Sequence, residues 1–194
     1  MKKFLSLLCS FGLLGTSISV SSNVISCGSK DNAKELTYQD NKKDSDVVSY
    51  LSNFENATIF TNEKEDFLPL SVVENKLGYE YTDTHSSAMG DQDLDFGTLE
   101  GSLINFTKGS DEEGKSTFGD FDSIFKELTD LKTTNTADGE NSNITIHVGT
   151  LKGKKNEQSF TINIYKLSFT IDKDHNVVGD VLKDIIYKKN ISLV

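Results

Sequence analysis

The feature that most limits the fold is the alternation in the C-terminal third of the chain. Ile144, Ile146 and Val148 alternate with Thr145, His147 and Gly149. Phe160, Ile162 and Ile164 alternate next, and Tyr165, Leu167, Phe169 and Ile171 follow on the opposite parity. Successive side chains of a strand point to opposite faces, so each run buries one face and wets the other. This is the pattern of antiparallel sheet. The Gly153 region turns the chain between the first two runs. The parity change near Ile164 predicts a bulge or a strand switch. Asp172-Lys173-Asp174-His175-Asn176 is turn chemistry. Beyond it, Val177, Val178, Val181, Leu182, Ile185 and Ile186 fit a returning strand or a helix of period near four, and both readings of 177–189 stand.

Upstream the period changes. Phe118, Phe121, Ile124, Phe125, Leu128 and Leu131 recur at steps of three and four. This predicts an amphipathic helix over 118–131, with Thr117 as its cap and Asp120 reaching back. Val47, Val48, Leu51 and Phe54 predict a second helix over 46–54, capped by Asp44 or Ser45. Ala57 to Thr61 reads as a short strand. Pro69 opens a short helix carrying Leu70, Val73 and Leu77 and closed by Gly78. From Thr98 to Thr107 the apolar phase shifts between Leu103 and Ile104, which predicts a bulged strand. Residues 82–95, 109–115 and 133–143 read as loops. The expected fold is α+β: an antiparallel sheet mainly from the C-terminal half, with the 118–131 helix packed across it.

The N-terminus carries a different message. Lys2 and Lys3 precede an apolar run from Phe4 to Leu14, and Ser17 to Asn23 is more polar. A positive start, an apolar core of about 7–15 residues and a small residue before the cut make a secretory signal. The tetrapeptide Val24-Ile25-Ser26-Cys27 resembles the lipobox of bacterial lipoproteins. That resemblance implies a diacylglyceryl thioether on Cys27 and cleavage before it. Cys27 would then be the first mature residue, and its two acyl chains would give stable anchoring without a transmembrane helix. Two other readings use the same segment. One is an uncleaved span ending near Val20, interrupted by Ser6, Ser10, Thr16, Ser17 and Ser19. The other is an ordinary secretory signal.

On the lipobox reading, residues 1–26 are the signal peptide. Residues 27–44 are the lipidated cysteine and a flexible tether, and 45–194 form one α+β extracellular domain. Between Gly28 and Asp44 the apolar residues are Ala33, Leu36 and Tyr38, too few for the segment to order itself. Cys9 leaves with the signal, so Cys27 is left without an intrachain disulfide partner. All 20 basic residues are lysine, and asparagine is abundant, the bias of an AT-rich genome. With the signal and lipobox, this looks like a surface lipoprotein of a mollicute such as a spiroplasma or mycoplasma. The resemblance places the protein on the outer face of the cell membrane.

Charge narrows the partners. Loss of Lys2 and Lys3 takes the net charge from −10 to −12. Acid on that scale argues against nucleic acid, whose phosphates need a basic surface. Lys152, Lys154 and Lys155 are a local exception and read as a solvated hairpin tip. Without arginine, no bidentate clamp for carboxylate or phosphate is available.

Reactive motifs are few. Asp91, Asp93 and Asp95 resemble the start of a calcium loop, where alternate carboxylates converge on one ion. Phe96 and Ser102 stand where an EF-hand needs Gly and Glu, so only a looser, low-affinity site fits. Asp172, Asp174 and Asn176 form a second triplet that reads as a hairpin turn. His85, His147 and His175 lie far apart, in no metal-binding spacing, and His147 reads as an exposed sheet residue. The expectation is a non-enzymatic module without a cofactor. It would be tied to the membrane through the lipid on Cys27 and bind an unknown protein or host-surface partner, or serve as an antigen. The alternatives are a ligand-binding accessory of a transporter and a surface hydrolase.

Overall fold

The computed structural model describes residues 33–61, 63, 66–82, 99–109, 116–174 and 176–194. The described strands are β1 (Lys34–Glu35), β2 (Thr58–Thr61), β3 (Asp66–Leu68), β4 (Val72–Val73), β5 (Lys76–Leu77), β6 (Ser102–Asn105), β7 (Thr134–Asp138), β8 (Asn141–Lys152), β9 (Ser159–Ile171) and β10 (Val177–Ser192). Among the described residues, one α-helix, α1 (Asp44–Leu51), precedes β2, and two 3₁₀ helices span Gly119–Ser123 and Lys126–Asp130. Eight strands form one sheet in the order β1-β10-β9-β8-β6-β2-β3, with β7 also paired to β8. Pairing is antiparallel throughout, except that β1 runs parallel to β10. The architecture is a mostly antiparallel sheet with little helix. The 177–189 stretch is strand.

The parity change at Ile164 has a different cause from the one expected. β9 pairs β8 without a slip from Ser142↔Ile171 to Lys152↔Thr161. The strand runs straight through, and its two halves are buried on opposite faces. Phe160, Ile162 and Ile164 enter one core cluster with Leu36, Leu51, Ile59 and Phe121. Tyr165, Leu167, Phe169 and Ile171 enter a second with Leu99, Leu103, Ile144 and Ile146. β6 repeats the arrangement. Leu103 belongs to the second cluster and Ile104 to the first, in unbroken register with β8. The bulge expected there is therefore absent.

The irregularities lie in β10. Its 16 residues run beside the 13 of β9, with register shifts between Val178 and Leu182 and between Ile185 and Tyr187. Gly179, at φ +80°, lies in the first shift. Along 177–185 β10 pairs only β9 among the described strands, and an edge strand can bulge without breaking a second ladder.

The helix expected over 118–131 is not an α-helix. It is the two 3₁₀ segments, separated by Phe125 in extended conformation (φ −122°, ψ 134°). The apolar residues explain it. Phe118, Phe121 and Ile124 are three apart, and Phe125, Leu128 and Leu131 restart the same step. A repeat of three stacks side chains on one face of a 3₁₀ helix, whereas an α-helix needs alternating threes and fours. Phe118, Phe121, Phe125 and Leu128 are all fully buried in the first cluster.

Three smaller expectations also change. The 69–78 segment is a β4–β5 hairpin rather than a helix, with Glu74 and Asn75 at φ +51° and +58°, as a two-residue primed turn requires. Residues 133–143 are the β7–β8 hairpin, turning at Gly139. The helix expected over 46–54 ends at Leu51, leaving Phe54 62% exposed.

The tether is corrected over its second half. From Ala33 onward the chain is an ordered strap. β1 pairs Tyr187 and Lys188, and Leu36 is fully buried, its N–H bonded to Lys188 O at 3.0 Å. The Tyr38 ring stacks on Phe125 at 5.0 Å. Gln39 N donates to Ile124 O and Lys126 N to Thr37 O, each at 2.9 Å. Polar composition predicts disorder only for a segment that must supply its own core. Here β10 and the 3₁₀ segments supply it.

Candidate functional site

The sequence candidates divide by position. Val24, Ile25, Ser26, Cys27, His85, Asp91, Asp93, Asp95 and His175 lie outside the described residues. Asp172 closes the β9–β10 turn, its Oδ1 accepting from the N–H groups of Asp174 and Asn176, each at 2.9 Å. That triplet is a hairpin turn, as its sequence implies. Lys154 and Lys155 sit at the β8–β9 turn, and Lys155 pairs with Glu63 at 3.1 Å. Among the described residues, no three His, Cys, Asp or Glu side chains converge as a metal site would require.

His147 is more enclosed than strand alternation suggests. It stands on β8 opposite Lys166, half-buried, and its Nδ1 has no partner among the described residues. Burial holds its pKa below the usual histidine value. The Lys166 charge acts the same way, and the Lys132 carbonyl acts against both. A neutral imidazole facing a lysine is poorly placed to hold a cation or relay a proton.

Two clefts remain. The first, about 490 Å³, lies where α1 begins beside the end of β10 and is lined by Tyr38, Asp44, Val48, Val72, Leu193 and Val194 among others. Its polar groups satisfy one another. The Tyr38 hydroxyl donates to Asp44 Oδ1, and Ser192 N donates to Asp44 Oδ2 at 2.7 Å. Burial, more than the Asp44 carboxylate, keeps the Tyr38 phenol protonated. Lys189 lies over the ring at 5.1 Å and pairs with Glu35 at 2.6 Å. This cluster fastens the strap to α1.

The second cleft, about 300 Å³, opens between α1 and the 3₁₀ turn at Gly119–Ser123. Helical spacing puts Asp46 and Ser49 of α1 along one wall, with Lys42 just before the helix and Asn53 just after it. Lys108, Asp120 and Ser123 form the other, with Tyr50 and Ile124 between. Lys42 meets Asp46 at 3.7 Å, and Lys108 meets Asp120 at 3.9 Å. Tyr50 is only 8% exposed, its ring 5.1 Å from Phe121. Its hydroxyl has no hydrogen-bond partner among the described residues. Burial pushes the phenol up to about 12, helped by the Asp120 charge and opposed by the backbone of Phe121. The sequence held a signal for this site that the helical reading passed over: Tyr50 shares the core face with Val47 and Leu51, and tyrosine there brings a polar atom inside.

No protein-family model, curated protein or solved structure matches this chain.

Proposed function

We propose that this chain is a lipid-anchored surface protein of the mollicute kind, held by Cys27, whose domain binds a partner rather than catalysing a reaction. The observation that carries the reading is the ordered series Lys2-Lys3, the apolar run from Phe4, and Val24-Ile25-Ser26-Cys27. Each part is required for export and lipid transfer, and they stand in the required order. The strap adds a dimension. Ala33 is the first described residue, six positions after Cys27. At about 3.3–3.6 Å per residue, those positions reach at most about 20 Å. The domain would ride close to the headgroups on a short leash, a geometry suited to contact at the cell surface.

The test is replacement of the anchor residue. Cys27→Ser should leave an unprocessed precursor and abolish incorporation of labelled fatty acid. Mass spectrometry that finds an unmodified Cys27 in the native protein, or another N-terminus, would falsify the reading.

A further inference from the structure

We propose that the strap exchanges between two copies of this chain: residues 34–39 of one copy seat in the groove between β10 and the 3₁₀ segments of the other. Residues 34–36 lie on β10 as a parallel strand, with Leu36 N bonded to Lys188 O at 3.0 Å. Residues 37–39 pair with the opposite wall. Gln39 N donates to Ile124 O and Lys126 N to Thr37 O, each at 2.9 Å, around an antiparallel bridge of Tyr38 with Phe125. Side chains complete the seat. Leu36 is fully buried, and Tyr38 stacks on Phe125 at 5.0 Å and donates to Asp44. Thr37 gives both its N–H and its hydroxyl to the Glu127 carboxylate, and Glu35 meets Lys189 at 2.6 Å. Backbone bonds along a strand edge, with alternate side chains in pockets, are how one protein recognises an extended segment of another. The strap is held as a bound peptide is held.

The hinge decides which copy supplies it. Each of these bonds reaches Asp44, residues 124–127 or residues 187–189, all beyond Lys43. A second copy offers the same partners in the same order, so a strap from outside fits as well as the strap from within. The difference lies in residues 40–43. Their turn has one backbone bond to the strap among the described residues, Lys42 N to Gln39 O at 3.1 Å, and it holds Asn41 at φ +65°. Left-handed backbone is disfavoured for a residue with a side chain, and straightening the turn releases it. Extended, residues 40–43 span about 13–14 Å, enough to cross between two domains in contact. Reciprocal exchange closes a two-fold pair in which each copy gives one strap and takes one. The free edge of β10 along 177–185 is a poorer seat, because the register shift at Gly179 breaks its ladder. An exchanged pair presents every face of the domain twice, so a weak site for a further partner gains avidity.

The proposal does not rest on the anchor, since a crosslink reads strap exchange and lipid labelling reads Cys27. The test uses whole chains in a zwitterionic detergent at about millimolar concentration, near the effective concentration of a short linker. One preparation carries Glu35→Cys and the other Lys188→Cys, at positions paired between β1 and β10. Neither chain holds both, so any link between these positions joins two chains. After mild oxidation of the mixture, peptide mass mapping should find position 35 of one chain bonded to position 188 of the other. A chain carrying both substitutions should close the same link within itself when dilute, because paired strands bring the positions within disulfide reach. Leu36→Ala should then act in opposite directions. In the Glu35→Cys chain it weakens the strap that is given, and the yield should fall at least about tenfold. In the Lys188→Cys chain it loosens the strap already in the groove, and the yield should rise. Asn41→Pro, which cannot hold a positive φ, should raise the yield in either chain. No link in the mixture, while the double variant closes within itself, overturns the proposal. So does a double variant that fails to close, which would mean that the strap does not lie on β10. Leu36→Ala acting alike in both chains, or Asn41→Pro without a rise, would mark random collision and overturn it too.

Discussion

If the strap from Ala33 to Lys43 belongs to the domain, cutting its central contact should weaken the whole fold. Leu36 is that contact. It is fully buried in the first core cluster, and its N–H is tied to Lys188. Leu→Ala at buried positions costs about 2–5 kcal/mol, depending on how far the surroundings collapse into the gap. Leu36 lies near one end of the chain, where collapse is easier, so about 3 kcal/mol is the working figure. At about 2–4 °C per kcal/mol for a domain of this size, the melting temperature should fall by roughly 6–12 °C. Phe54→Ala is the control. Phe54 is 62% exposed, and truncation there should stay within about 0.5 kcal/mol. Circular dichroism melts give the shift, and urea titration adds a second readout. Loss of global stability lowers the midpoint at constant slope, whereas a strap that opens by itself lowers the slope. A Leu36→Ala shift no larger than that of Phe54→Ala would refute the strap as part of the core.

Three further outcomes follow from particular residues. His147 is held below its ordinary pKa by burial and Lys166, so the unfolded chain takes up the proton more readily. Its contribution to stability is whole above the unfolded pKa and is lost as pH falls through that value toward the folded one. The urea midpoint should therefore drop between pH 7.5 and 5.5 by more in the wild type than in His147→Gln, and equal drops would exclude His147 as the source. Gly101 sits at φ +90°, where a Cβ would lie 2.6 Å from the Leu151 carbonyl oxygen. Its turn lets Glu100 N bond Tyr165 Oη at 2.7 Å and Glu100 O accept from Thr150 Oγ1 at 2.6 Å. Gly101→Ala should cost about 2–4 kcal/mol, and a melting temperature within a degree of wild type would contradict the backbone assignment. Glu74, at φ +51°, should gain about 0.5–1 kcal/mol on replacement by glycine. A lower melting temperature would count against the β4–β5 turn.

The strands were legible because period two has a single local reading. Ile144 to Val148 and Phe160 to Ile164 needed nothing beyond their own alternation. What sequence could not carry was which face is covered where. A parity change looks the same whether the strand bulges or its two halves meet different neighbours. At Ile164 and Ile104 the neighbours decide, and they come from distant parts of the chain. Leu36 and Tyr38 were misread for the same reason: their partners, Lys188 and Phe125, are far away in sequence. For Phe118 to Leu131 the information was present, since two runs of pure threes stand there. Of the candidate site, only Tyr50 left a trace, as a polar atom on an apolar helical face.

In a chain held at Cys27, the strap is also a load path. A ligand pulled away from the cell draws on the domain through Ala33, and the first bonds under tension are the few that join β1 to β10. They are the least redundant in the sheet, because β1 is two residues long. Detaching 33–43 would pay out eleven residues of slack, about 36–40 Å at full extension, while β2 to β10 stay folded. Force spectroscopy from the N-terminus should show that early step before the main rupture. The leash would lengthen under strain before the fold gives way.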